Sequence, residues 1–127
     1  MSKGYRDLEI FTRSQALAVR IHLMTISLPR FVFDEEGSQI RRSSKSVTAN
    51  FVEGYCLRKH KAQWLLFLSR AHASANETLI HLEFLHMTAS LRDELLFRDL
   101  HAQTEELCRM LHAFIATVSR THRPPPD

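Results

Sequence analysis

The chain has 127 residues, and its 44% hydrophobic content is enough for the core of one domain. Three glycines and four prolines are too few for a turn-rich β protein of this length, which excludes that class of fold. The formal net charge is only +3. Residues 1–61 hold 11 of the 17 Lys and Arg residues but only 6 of the 14 Asp and Glu residues, so the excess of basic residues lies in the first half of the chain.

The first predicted helix covers residues 7–28. Asp7 is a suitable N-cap, because its carboxylate can accept hydrogen bonds from free backbone N–H groups. Pro29 ends the helix, since a proline disfavours the α conformation of the residue before it. Apolar residues recur at helical spacing on one face, namely Ile10, Leu17, Ile21, Met24 and Leu28.

The second predicted helix covers residues 38–56 and follows a loop that contains Phe31 and Phe33. Its start is expected within residues 34–38, where three acidic side chains suit the positive end of a helix dipole. Gly54 is expected at its C-terminal end, where a left-handed residue is often needed.

The third predicted helix, residues 61–87, is the most hydrophobic, and the fourth covers residues 93–119. Short connections between long helices force neighbours to run antiparallel. We therefore predict an all-α protein, an antiparallel up-down-up-down four-helix bundle in a single domain. The bundle is expected to cover residues 1–120, and residues 121–127 are expected to form a flexible, proline-rich tail.

The two cysteines indicate a reducing compartment. Cys56 and Cys108 have no metal-binding or redox spacing and are too few for a disulfide framework. No apolar stretch reaches the roughly 18–20 residues that a membrane span requires, and the first ten residues lack the apolar segment of a signal peptide. The sequence predicts a cytoplasmic protein with no membrane partner.

Motifs in the first three helices resemble a known family. They lie at Tyr5–Ile10, Gln39–Ser44, Ser46–Gly54 and Lys61–Leu68, and the most specific is Gln-Ile-Arg-Arg followed by Asn-x-x-Glu-Gly in the second helix. The chain resembles the four helix bundle proteins, whose first members are encoded in intervening sequences of bacterial 23S ribosomal RNA genes. More distantly, it resembles the accessory protein of diversity-generating retroelements.

The resemblance implies a bacterial protein that assembles as a homopentameric ring. The retroelement accessory protein is a basic pentamer that binds nucleic acid and a reverse transcriptase. This sequence departs from the family pattern at Thr48, where a proline is common, and at Lys45, where a small or apolar residue is usual. The second departure places a charge near a surface that the family packs.

Basic residues of the second helix and of the linker after it form a candidate nucleic-acid-binding set. On a monomer this set is a small patch for phosphates without base specificity, but repeated around a ring it becomes a continuous rim. A solvated surface is the alternative interpretation. The set consists of Arg41, Lys45, Arg58, Lys59 and Lys61.

Polar stripes on helices two and three are expected to form a structural network that fixes helix register, with a functional groove as the alternative. Antiparallel geometry pairs Gln39 with His81, Arg42 with Glu77, Ser46 with Ser74 and Asn50 with Arg70, and it also brings Glu53 near Arg70. The Arg42–Glu77 ion pair is expected to be the strongest contact.

Five consecutive apolar residues open the third helix and span its whole circumference, so one core face cannot bury all of them. The surplus is expected to meet another subunit. The predicted oligomer interface is Trp64, Leu65 and Leu66.

No catalytic residue, metal site or cofactor is predicted. Glu83 and His86 form a single Glu-x-x-His pair, whereas di-iron bundles need two, and no phosphate loop or nucleophile elbow is present. We therefore expect a non-enzymatic homo-oligomeric scaffold that binds nucleic acid, with RNA or a ribonucleoprotein preferred over DNA. The alternative is a protein–protein interaction module with no nucleic-acid partner.

Overall fold

A computed structural model describes residues 4–121, and every regular element in that range is helical. The elements in chain order are a 3-10 turn at Gly4–Asp7, α1 at Glu9–Ile26, α2 at Arg30–Val32, a π-helical turn at Phe33–Gly37, α3 at Ser38–Cys56, α4 at Lys61–Met87 and α5 at Glu94–Thr121. The predicted all-α four-helix bundle is confirmed. The tail expected at 121–127 lies outside the described residues except for its first member.

The four long helices surround one apolar core. α1 and α4 each pack between α3 and α5, so α1 and α4 occupy diagonally opposite corners of the bundle. Core side chains come from all four helices, including Ile21, Phe51, Leu82 and Leu111, each less than 2% exposed. No helix in the described part of the chain is long and apolar enough to cross a membrane.

The N-terminal end of α1 is set by aromatic packing, and the predicted Asp7 cap is wrong. Asp7 closes the 3-10 turn, and Leu8 occupies the N-cap position without a side-chain hydrogen bond. The Tyr5 ring packs edge-on against Phe11, with ring centroids 5.0 Å apart, and against Tyr55, with centroids 6.0 Å apart. These contacts fix the turn that starts the helix.

The predicted loop around Phe31 and Phe33 is helical. Pro29 is the N-cap of α2, and its carbonyl accepts a hydrogen bond of 2.8 Å from the Phe33 N–H. A proline can both end one helix and start the next, because its fixed φ suits a first turn. The buried side chains of Leu28 and Val32 hold this short segment against the core.

Gly54 lies inside α3, so its predicted role as a left-handed C-terminal residue is wrong. Among residues 4–121, only Gly4 and Ala89 have a positive φ. A Cβ added at Gly54 would lie 2.8 Å from Trp64 Cε3 and 2.9 Å from Phe67 Cβ. The glycine is needed because α3 and α4 approach each other closely there.

Candidate nucleic-acid interface

The predicted nucleic-acid-binding residues fall into two separate groups. Arg41 and Lys45 lie on α3 beside α1, whereas Arg58, Lys59 and Lys61 lie in and after the turn between α3 and α4. At roughly 1.5 Å per helical residue, Arg41 and Arg58 are on the order of 25 Å apart along the bundle axis. The predicted single patch is therefore wrong, because the set spans much of the length of α3.

Arg41 is a structural residue. Its half-buried guanidinium donates to Thr25 Oγ1 at 3.0 Å and to the Phe33 carbonyl at 3.2 Å, and it stacks over the Phe33 ring 3.9 Å from the centroid. These contacts tie α3 to α1 and to the π-helical turn. Because its donors face inward, we remove Arg41 from the candidate nucleic-acid surface.

Lys45 lies on the seam between α1 and α3. It is exposed, and its Nζ is 3.0 Å from His22 Nδ1. Together with Val19 and Leu23 it lines an open groove of about 370 Å³. This position is distant from the other basic group and adjoins apolar side chains.

The other three residues of the set lie at one end of the bundle together with two further arginines. We call this group the basic end: Arg6, Arg58, Lys59, Lys61 and Arg120. The Lys61 ammonium donates to the Ser119 carbonyl at 2.7 Å, which joins the start of α4 to the end of α5. The Arg58 guanidinium stacks over Tyr55 at 3.9 Å, and Tyr55 contacts Tyr5 beside Arg6. Arg6, Lys59 and Arg120 are exposed.

Sequence reasoning missed Arg6 and Arg120 because they are far from the linker along the chain. The antiparallel topology is the signal that could have found them. In an up-down-up-down bundle, the start of α1, the turn after α3 and the end of α5 lie at the same end. Asp7 lies in the same N-terminal turn and offsets part of the positive charge.

The predicted polar network forms only in part. Ser46 Oγ lies 2.9 Å from Ser74 Oγ, as the antiparallel register requires, and Asn50 donates to Ser46 Oγ at 2.9 Å instead of meeting Arg70. Arg42 and Glu77 are both exposed, and no ion pair joins them. The predicted Arg42–Glu77 pair is therefore wrong.

The network differs because the buried seam between α3 and α4 lies one position away from the predicted stripe. Ser43 and Thr78 fill that seam, and their hydroxyl oxygens are 2.8 Å apart. His81 turns away from exposed Gln39 and binds the carboxylates of Glu36 and Glu77 instead. Gln39, Glu53 and Arg70 therefore belong to the exposed surface of these helices.

Two histidines pair with carboxylates across the contact between α4 and α5. His86 lies 2.9 Å from a Glu94 oxygen, and His101 lies 2.8 Å from a Glu83 oxygen. The hydrogen bond from His86 lowers the pKa of Glu94. The Glu-x-x-His pair is thus engaged in helix contacts, and no group of three or more His, Cys, Asp or Glu side chains suited to a metal occurs within residues 4–121.

The predicted oligomer interface is wrong for Trp64. This side chain is 2% exposed, because it packs into its own core against Phe51 and Phe114. Leu65 is half-buried against that core, and Leu66 is 42% exposed. Trp64 is therefore unavailable to a second subunit in this fold.

Comparisons with known proteins agree with the helical bundle. The model of the 23S rRNA-intervening sequence protein family matches residues 6–113. A crystal structure of a protein of unknown function from the S23 ribosomal protein family of Bacteroides thetaiotaomicron is 26% identical, with a TM-score of 0.73 over 85% of this chain and 96% of that one. No curated protein matched the chain. Because the family model covers most of the sequence, including all of α1, α3 and α4, the chain belongs to the 23S rRNA-intervening sequence protein family.

Proposed function

We propose that this protein is a non-enzymatic, homo-oligomeric helical scaffold whose basic end binds nucleic acid, with RNA as its principal ligand. The observation that carries the proposal is the convergence of five Lys and Arg side chains from three separate segments on one end of the bundle. The association of the family with 23S rRNA genes favours RNA over DNA.

The basic end suits phosphate groups more than bases. Arg6, Lys59 and Arg120 are exposed, and Tyr5 and Tyr55 at the basic end are already packed against each other. Contacts of this kind neutralise phosphates and release counterions, so they carry little sequence information. The expected binding is strongly salt-dependent and similar for different RNA sequences.

Oligomerisation would strengthen this weak site. A single basic end offers few phosphate contacts, but a ring with all copies in the same orientation places several basic ends around one rim. An RNA strand that crosses two neighbouring ends binds the second one at a high effective concentration. The family resemblance favours five copies.

A scaffold without catalysis fits the chemistry of the described side chains. Burial raises the pKa of the Cys108 thiol, which opposes formation of a nucleophilic thiolate. His86 and His101 are engaged with carboxylates that join α4 to α5. These groups serve packing and helix pairing.

A protein–protein interaction module is the second candidate function. The exposed apolar side chains on α1 and α4 favour it, since large apolar patches on a small protein mark binding surfaces. In that case the basic end would be a solvated surface with no polyanion partner.

Fluorescence anisotropy of a labelled single-stranded RNA over a range of salt concentrations tests the proposal. The test variant combines Lys59→Glu with Arg120→Glu, which leaves the Lys61–Ser119 hydrogen bond in place. We expect RNA affinity to fall at least about tenfold at moderate salt, and the slope of log affinity against log salt to decrease by about 1 for each lost phosphate contact.

A matched control combines Arg98→Glu with Arg109→Glu, an equal change in charge at two exposed α5 residues away from the basic end. This control should retain more than half of the affinity. Equal losses in both variants would show that net charge, and not the basic end, governs binding. Salt-independent affinity, or no affinity for RNA in the wild type, would favour the protein–protein module.

A further inference from the structure

Two exposed apolar surfaces lie on opposite corners of the bundle. The first, the α1 face, consists of Val19, Leu23 and Ile26, which are 54%, 60% and 59% exposed. The second, the α4 face, consists of Leu66, Ala73, Ile80, Phe84 and Met87. Because α1 and α4 are diagonal in the bundle, these faces point in different directions and cannot cover each other within one chain.

The α4 face is a continuous stripe. Its members recur at intervals of seven, seven, four and three residues, which keeps them on one side of a helix. From Leu66 to Met87 the stripe extends roughly 30 Å at about 1.5 Å per residue. Two exposed charged residues continue the same spacing within the stripe: Glu77, close to its midpoint, and Arg70, one heptad before it.

The α1 face is a groove rather than a ridge. Val19 and Leu23 form one wall, and Lys45 and Thr48 of α3 form the other, around a volume of about 370 Å³. The charge in this groove is positive, since Lys45 is exposed beside His22. Lys45 in the groove therefore complements the carboxylate of Glu77 on the apolar ridge of α4.

We propose that the α4 face of one copy packs into the α1 face of the next copy, with Glu77 approaching Lys45 across the contact. This inference rests on the oligomeric part of the proposed function and specifies which surfaces join. Both partners bury apolar area, and Glu77 and Lys45 each meet an opposite charge, while Arg70 lies about 10 Å from Glu77 along the stripe.

The contact is heterologous, so each copy keeps one unused face after it has bound a neighbour. Repetition of a heterologous contact forms a ring when the rotation closes and an open filament when it does not. The position of the two faces on diagonal corners gives every copy two neighbours. It also explains how a small bundle can form an assembly larger than a dimer.

Pairwise mixing of variants, followed by light scattering on a sizing column, tests this arrangement with the full chain. Leu23→Glu disables the α1 face, and Phe84→Glu disables the α4 face. Each variant alone should elute as a monomer. Because each retains the face that the other lacks, a mixture should form a one-to-one dimer that cannot grow further.

Leu95→Glu is the matched control. Leu95 is 76% exposed and lies on α5, outside both faces, so this variant should keep the wild-type mass. Circular dichroism should show unchanged helix content in all three variants. If one of them loses helix content, Ile26→Glu and Met87→Glu replace it, since these residues are 59% and 75% exposed at the same two faces.

The outcomes separate the inference from the proposed function. A wild-type oligomer with no dimer in the mixture would overturn the face assignment and leave the oligomeric scaffold intact. Dimers formed by one variant alone would also overturn it, because they indicate a contact between like faces. A wild-type monomer at micromolar concentration would overturn the oligomer itself and leave the faces to a different protein partner.

Discussion

Gly54 shows how one residue sets the distance between two helices. A methyl group at this position would meet Trp64 Cε3 at 2.8 Å and Phe67 Cβ at 2.9 Å, and both belong to the adjacent α4. The absence of a side chain therefore lets α3 and α4 pack closely where Trp64 enters the core. The sequence reveals the glycine but not the neighbour that requires it.

We predict that Gly54→Ala destabilises the protein, although alanine is the better helix former by about 1 kcal/mol. Overpacking should cost about 1–3 kcal/mol and exceed this gain, so the net loss should be on the order of 1 kcal/mol. Urea unfolding measures it. As a control, the reverse substitution at an exposed α3 position, Ala49→Gly, measures the effect of helix propensity without any change in packing. A Gly54→Ala variant more stable than the wild type would contradict the close packing of α3 and α4.

His72 is predicted to titrate below the usual range of histidine. Burial lowers its pKa, and the nearby charge of His112 lowers it further. The unfolded chain therefore binds this proton more tightly than the folded chain, so this group lowers the free energy of unfolding as pH falls below about 6.5. NMR titration of the ring protons measures the pKa directly.

His112→Gln provides the comparison for this titration. This substitution removes the charge of His112 and leaves the burial of His72 unchanged. The pKa of His72 should therefore rise and still remain below the usual range. A wild-type value at or above about 6.5 would contradict the burial of this ring against α5.

At the scale of elements, the segment between α1 and α3 depends on Arg41. This one guanidinium binds the α1 hydroxyl of Thr25, the carbonyl of Phe33 and the Phe33 ring. It thereby holds the π-helical turn against the bundle. An exposed arginine next to it, Arg42, has no such role.

We predict that Arg41→Met lowers the free energy of unfolding by about 2 kcal/mol, since hydrogen bonds from charged donors are each worth about 1.5–3 kcal/mol and apolar packing compensates in part. Arg42→Met should change stability by less than about 0.5 kcal/mol. RNA affinity of the Arg41 variant should remain close to wild type in the anisotropy assay. A large loss of affinity with unchanged stability would return Arg41 to the nucleic-acid surface.

The helices themselves could be predicted from sequence, whereas their short connections could not. Apolar periodicity and Pro29 predict the positions of α1, α3, α4 and α5, because a buried helical face needs that spacing. The sequence predicts a loop around Phe31 and Phe33 and a helix start within residues 34–38, whereas the structure is helical from Arg30 onwards. The helical state of this segment depends on tertiary contacts of Val32 and Arg41, which are not local features of the sequence.

The parts of the candidate site that could be predicted are those that follow from the antiparallel arrangement of the helices. The predicted register of α3 against α4 is right at Ser46 and Ser74, but the predicted polar stripe lies one position away from the buried seam, which Ser43 and Thr78 occupy. Side chains at consecutive helical positions point about 100° apart, and apolar periodicity alone does not show which of two adjacent polar positions is buried. Arg6 and Arg120 were missed because distant segments meet only in the folded bundle.

At the scale of the whole molecule, the basic end and the two apolar faces occupy different parts of the bundle. Five cations lie at the basic end, and exposed apolar side chains lie along the α1 and α4 corners, where Lys45 and Glu77 are also exposed. In a ring joined through those corners, the basic ends of all copies lie on the same rim. In the proposed assembly, RNA binding would depend on oligomerisation, since the rim would exist only in the oligomer.

Native mass spectrometry of the full chain, with and without a single-stranded RNA, tests whether the protein assembles and binds RNA as an oligomer. We expect one closed oligomer of constant copy number across micromolar concentrations, with five copies favoured by the family resemblance. Its complex with RNA should dissociate as ionic strength rises. A monomer that binds RNA as tightly as the oligomer, or an oligomer that binds no RNA at low ionic strength, would contradict this expectation.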